Sequence, residues 1–133
     1  MAREPGRLKL FKSNHPDFPD GGQRRDFIHV RDCAEVVIWL LDHPKVSGLF
    51  NLGTGQARSF LDLAGAVMQT MSNRAVAIEF FDMPAALQCR YQNFTEAKMD
   101  RLRAAGYSKP FTSLEEGVAD YIRNYLETSD PYS

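Results

Sequence analysis

Three arginines frame a short apolar run: Arg24, Arg25 and Arg31 stand around Phe27-Ile28-His29-Val30. A guanidinium is a planar fork whose N–H groups meet phosphate oxygens two at a time. A loop leading into a helix also suits a phosphate, because the first backbone N–H groups of a helix lack internal partners. The residue types by themselves favour a solvated basic face. The sharper reading is a diphosphate-binding element at Arg25, where an extended segment hands over to a helix. Arg90-Tyr91-Gln92 is a second polar and aromatic group, and Tyr91 reads either as a core ring or as a ring stacking on a base.

Catalytic constellations fare poorly. Gly53-Thr54-Gly55-Gln56-Ala57-Arg58 starts as a dinucleotide fingerprint, but the third glycine position holds Arg58, so a tight turn is the better reading. Neither a Gly-Lys-Ser/Thr phosphate loop nor a Gly-x-Ser-x-Gly elbow occurs. A Tyr-x-x-x-Lys proton-transfer pair fails at every tyrosine. Thr95, Phe111, Tyr125 and Ser129 stand four residues after Tyr91, Tyr107, Tyr121 and Tyr125, and Tyr132 has no such position. His15, His29 and His43 show no metal-ligand spacing, and Cys33 and Cys89 read as separate thiols in a reducing compartment. No catalytic, cofactor-binding or metal-ligating residue is therefore expected.

The bulk properties are ordinary for a soluble globular protein. At 133 residues the chain has one domain's worth of length, with 44% hydrophobic and 25% charged residues. A net charge of -1 supplies no basic field for nucleic acid or an anionic membrane surface. Met-Ala-Arg-Glu-Pro-Gly leads into no apolar run, so no secretory signal is expected, and no segment is long and apolar enough to suggest a membrane span. A cytoplasmic location follows as an expectation.

Helices and strands alternate, which predicts an α/β (mixed α+β) architecture. Strands are predicted at Leu8 to Phe11, Phe27 to Val30, Leu49 to Leu52 and Val76 to Phe81, with Lys12 to Gln23 as a turn-rich loop. Asp32 with Glu35 reads as a capping box opening a helix that stops before Pro44. That helix is apolar almost all round, so packing on more than one side is expected. Ser59 is predicted to cap a second helix. Pro84 to Asn93 reads as irregular or mixed, and Thr95 as the cap of a third helix running through Leu102 to a stop at Gly106. Ser113-Leu114-Glu115-Glu116 opens a fourth helix with a further capping box.

Arg25-Asp26-Phe27-Ile28-His29-Val30-x-Asp32, followed by Phe50-Asn51-Leu52-Gly53-Thr54-Gly55, resembles the C-terminal half of extended short-chain dehydrogenase/reductases, the NAD-dependent epimerase/dehydratase group. Leu10-Phe11, Arg90-Tyr91-Gln92-x-Phe94-Thr95, Leu102-Arg103-Ala104-Ala105-Gly106-Tyr107 and Lys109-Pro110-Phe111 are similar to the ADP-L-glycero-D-manno-heptose 6-epimerases within that group. The resemblance runs from about Leu8 to Leu126. It implies a family that inverts C6 of ADP-heptose with tightly bound NADP, in support of lipopolysaccharide core synthesis. It also implies that Phe11, Lys12, Ser13 and Asn14 lie in a substrate loop, that Arg25 binds the substrate's diphosphate and that Tyr91 contacts the substrate.

The family's glycine fingerprint and Tyr/Lys pair belong to its N-terminal half and have no counterpart in this sequence. The resemblance thus implies a C-terminal substrate-binding portion over residues 1–128 with the Rossmann half absent, and a frayed tail at 129–133. Such a portion is expected to be inactive alone, not to bind NADP, and to expose an apolar patch met by the missing half or by self-association. Two other readings remain open at this level: part of a UDP- or dTDP-sugar epimerase or dehydratase, and a non-catalytic module that binds a nucleotide-sugar or a partner protein.

Overall fold

A computed structural model describes residues 6–71 and 76–128. The mixed α/β class expected from the alternation of elements is what the chain adopts. Strand β1 (Arg7–Phe11) pairs in parallel with β4 (Ala77–Phe81), in register from Arg7 opposite Ala77 to Phe11 opposite Phe81. A parallel pair needs a crossover. The intervening chain supplies the two-residue strands β2 (Arg24–Arg25) and β3 (Arg58–Ser59), which pair antiparallel, and the helices α1 (Val30–Asp42) and α2 (Phe60–Thr70). After β4 come the short helices α3 (Ala85–Gln88) and α4 (Asp100–Ala104). Helix α5 (Leu114–Tyr121) then continues as a π-type turn over Ile122–Leu126 and packs against α2.

Local chemistry explains most of the boundaries. Ser59 and Ser113 each close a capping box, with Asp62 and Glu116 reaching back to the cap backbone, so α2 and α5 start where those motifs stand. Gly106 takes a φ of 110°, and the N–H groups of Gly106 and Tyr107 donate to the carbonyls of Arg103 and Leu102. That is a Schellman closure, which a left-handed glycine makes without a steric penalty.

Three boundaries depart from the sequence-based expectation. Helix α1 is capped by His29, whose ring nitrogen accepts from the Arg31 N–H, and not by Asp32. The Asp32 carboxylate is buried and takes two hydrogen bonds from Thr112, from its N–H at 2.8 Å and its hydroxyl at 2.9 Å. A long-range clasp has displaced the local cap. Helix α4 starts at Asp100 and not behind Thr95, because the Thr95 and Ala97 N–H groups are already bound to the Arg24 carbonyl and the Asp26 carboxylate. Phe27 to His29 and Leu49 to Leu52 run without ladder partners among the described residues, so neither is a strand. Apolar β-formers make a strand only where a neighbouring edge is free to pair.

The core gathers Val36, Leu102 and Tyr107, with Trp39, Leu40, Phe50, Met99 and Phe111 packed around them. Only one side of α1 is used in this way. Val30, Ala34, Val37, Ile38 and Leu41 form an exposed stripe at helical spacing, with Val30 and Leu41 73% and 74% accessible. No helix of the described residues is long and apolar enough to cross a membrane.

Leu102 is 1% exposed at the centre of the core. Leu102→Ala should therefore lower the unfolding free energy by about 2–5 kcal/mol, the range for deleting a buried leucine side chain. A urea titration reads this directly, and a change under 1 kcal/mol, as a rough threshold, would show that α4 is not part of the stable core.

Candidate substrate-binding site

Arg25 lies at the end of β2, with its backbone opposite Arg58 of β3. Its guanidinium carbon sits 5.1 Å from the centroid of the Tyr91 ring and 5.9 Å from that of Phe60. Phe11, at the end of β1, meets the same Tyr91 edge to face, with centroids 6.0 Å apart. Three of the residues singled out from the sequence, Phe11, Arg25 and Tyr91, thus form one cluster. A cation over aromatic faces is held at a cost in solvation that the ring quadrupoles offset, by about 0.5–2 kcal/mol. This arrangement steers the guanidinium while leaving edge N–H groups for an anion. Among the described residues no carboxylate pairs with Arg25. Its side-chain hydrogen bond there goes to the Arg24 carbonyl at 2.8 Å.

The remaining candidates lie beside the cluster, tied elsewhere. The Lys12 ammonium pairs with Asp82 at 3.0 Å, and that hydrogen bond raises its pKa above the ordinary value. The Ser13 hydroxyl donates to the His15 carbonyl, and its N–H donates to Asp20. Asn14 donates from its side-chain amide to the Gln88 carbonyl of α3. The loop is consequently braced along its length, and Phe11 at its start meets the Tyr91 ring. Arg31 departs from the basic triple: it pairs with Asp120 at 3.6 Å and donates to the Tyr125 hydroxyl at 2.8 Å, on α5 and the turn beyond it.

Sequence reasoning missed two residues. Phe60 is not singled out there, yet its ring forms part of the platform under Arg25. Asp26 reads there only as part of a motif. In the fold its carboxylate accepts from the Thr54 N–H (2.7 Å), the Thr54 hydroxyl (2.5 Å), the Gly55 N–H (2.9 Å) and the Ala97 N–H (3.0 Å). The available signal was in kind only: a carboxylate beside Arg25, and a Gly-Thr-Gly turn whose N–H groups need an acceptor. A side chain at Gly53 would overlap Asp26 and the Ala97 methyl, which is why the first position of that turn is glycine.

The same turn answers whether a dinucleotide fits here. Its Thr54 and Gly55 N–H groups are spent on Asp26 and are not available to a pyrophosphate. These residues therefore make no cradle for NADP. An apolar cleft of about 500 Å³, whose lining does not include Arg25, lies between Leu8, Leu63, Val67, Leu114, Val118 and Ile122. Its lining carries few polar groups to orient a nucleotide. Among the described residues no group of three His, Cys, Asp or Glu side chains could hold a metal ion.

Residues 5–53 match the model of the NAD dependent epimerase/dehydratase family. Along 97% of its length the chain is 54% identical to an ADP-L-glycero-D-manno-heptose-6-epimerase of Nitratidesulfovibrio vulgaris, covering 40% of that protein. A protein of the same name from Fusobacterium nucleatum is 46% identical over 98% of the chain and 41% of its own length. The chain is a homologue of part of these epimerases. It spans about two-fifths of the length of the curated relatives it matches. Two solved structures share the fold. RMD from Pseudomonas aeruginosa, complexed with NADPH, superposes over 85% of this chain and 33% of its own at a TM-score of 0.64 and 19% identity. The NAD dependent NDP-hexosamine 5,6-dehydratase TunA covers 84% and 33% at a TM-score of 0.59 and 23% identity. The fold is accordingly shared with about a third of each of these two structures, and the homologues are epimerases by name.

Burial works to raise the Asp26 pKa, but the hydrogen bonds from Thr54, Ala97 and Gly55 outweigh it and hold the carboxyl below its ordinary 3.8. A group whose pKa is lower folded than unfolded contributes stability that is complete above its unfolded value and is lost as pH falls through the folded one. Unfolding free energy should thus decline as pH drops below about 4, and Asp26→Asn should flatten that decline. Urea titrations at stepped pH test this. Parallel curves for the two proteins would mean that other acids, Asp62 among them, carry the whole effect.

Proposed function

We propose that this chain is the substrate-binding portion of an ADP-glyceromanno-heptose 6-epimerase, the enzyme that inverts C6 of ADP-heptose for lipopolysaccharide core synthesis. The observation that carries the reading is the convergence of Phe11, Arg25 and Tyr91 in one cluster, in a chain homologous almost end to end to proteins of that name. Arg25 binds the substrate's diphosphate through its free guanidinium edge. Tyr91 and Phe11 line the nucleotide side, and Lys12, Ser13 and Asn14 form the braced loop that borders it. Residues 1–128 carry this role; the stretch 129–133, expected from the sequence to fray, lies outside the described residues.

The hydride chemistry belongs to NADP, held by the part of the full-length enzyme that this chain does not match. With the glycine turn closed on Asp26 and no Tyr/Lys pair in the sequence, the chain alone is inactive. The exposed stripe of α1, from Val30 to Leu41, supports a covering partner, and the Rossmann half of the enzyme is the one proposed. The protein works in the cytoplasm.

Calorimetric titration with ADP-heptose and with ADP tests the assignment. Both should bind, and Arg25→Ala should weaken them by about 1.5–3 kcal/mol, the scale of a hydrogen bond to a charged group. Preference for UDP or dTDP over ADP would overturn the heptose assignment. An Arg25→Ala variant that binds ADP as well as the native chain would return Arg25 to the solvated face.

A further inference from the structure

We propose that Asp26 is the positioning residue of the Arg25 site: its carboxylate fixes the two chain segments that carry the aromatic rings around the guanidinium. The proposal rests on the reading of Arg25 as the diphosphate ligand, and the geometry supports it from both sides. One carboxylate oxygen holds Thr54, and the other holds Gly55 and Ala97. From the Gly53-Thr54-Gly55 turn the chain runs directly into β3 and then Phe60, one ring over which Arg25 lies. Ala97 lies on the helix-free stretch that runs on from Tyr91, the other ring. That stretch also crosses β2, where Arg24 donates to the Asn93 carbonyl and accepts from the Thr95 N–H. Phe60 and Tyr91 are far apart in sequence, yet each is anchored a few residues away on one side chain, and that side chain is bonded in sequence to Arg25.

The anchor must be a carboxylate. All four groups around it are donors toward it, three of them backbone N–H groups, and an ionised carboxylate only accepts. Asparagine has the same shape, but it turns an NH2 group toward at least one backbone N–H in either orientation. Asp26→Asn therefore loosens the anchor without opening a cavity.

The experiment follows Arg25 directly. Its side-chain protons and Nε–H should be displaced in the NMR spectrum by the ring currents of Tyr91 and Phe60, and Asp26→Asn should move them toward the values of an unstructured arginine. ADP affinity, by calorimetry, should fall about tenfold, the loss expected for one charge-assisted hydrogen bond. In the Arg25→Ala background the same substitution should leave the remaining affinity unchanged. A general structural role would lower affinity equally in both backgrounds and leave the Arg25 shifts in place, and that result overturns the proposal. Should Asp26→Asn fail to fold, Thr54→Val removes one of the four donors and keeps the backbone bonds. Displaced Arg25 signals in that variant support the proposal, and unchanged ones sink it. If the native chain binds no ADP, the substrate assignment fails alone, and the Arg25 shifts still decide the positioning role.

Discussion

The Asp26 carboxylate is the junction on which the arrangement of this chain depends. It accepts four hydrogen bonds from Thr54, Gly55 and Ala97, joining three stretches that are remote in sequence. Three of these donors are backbone N–H groups, which a fold must supply with acceptors. The pairing of β2 with β3 spans only two residues, too short to be stable by itself. What holds that narrow sheet together is the side-chain clasp beside it. A second clasp of the same kind, Asp32 on Thr112, joins the first turn of α1 to the chain just before α5.

Two acidic side chains thus do work that a longer sheet would do through backbone ladders. The consequence for function is geometric. The Arg25 guanidinium is placed by aromatic rings whose backbones are pinned, and the loop after β1 is braced to Asp82, Asp20 and Gln88. A site of this kind is set before a ligand arrives, so little conformational entropy remains to be lost on binding. The glycine turn that looked like the start of a dinucleotide fingerprint is consumed in the same clasp. Its Thr54 and Gly55 N–H groups are spent on Asp26.

The other feature of the fold is what it leaves uncovered. Helix α1 buries Val36 against Leu102 and Tyr107, but its stripe from Val30 to Leu41 faces outward. The segments Phe27 to His29 and Leu49 to Leu52 are rich in strand-forming residues and have no ladder partner among the described residues. These features, together with a match to only two-fifths of the relatives' length, describe the same condition from the physical and the comparative side. Apolar surface and strand-like backbone are left without a complement among the described residues.

What the sequence by itself determined is the chemistry that acts at short range. The capping boxes at Ser59 and Ser113, the stop at Gly106 and the β1 and β4 segments were legible because each rests on residues a few positions apart. The motif residues were legible as types: an arginine fit for phosphate, and a tyrosine able to stack. Only the tertiary structure decided where they meet. Asp32 left its cap for Thr112, Thr95 gave up a helix start to bind β2, Arg31 went to α5, and the Phe60 ring came to lie under Arg25. In each case a hydrogen bond or ring contact between distant segments outweighed a local preference worth about 1 kcal/mol, and such pairings cannot be read from spacing along the chain.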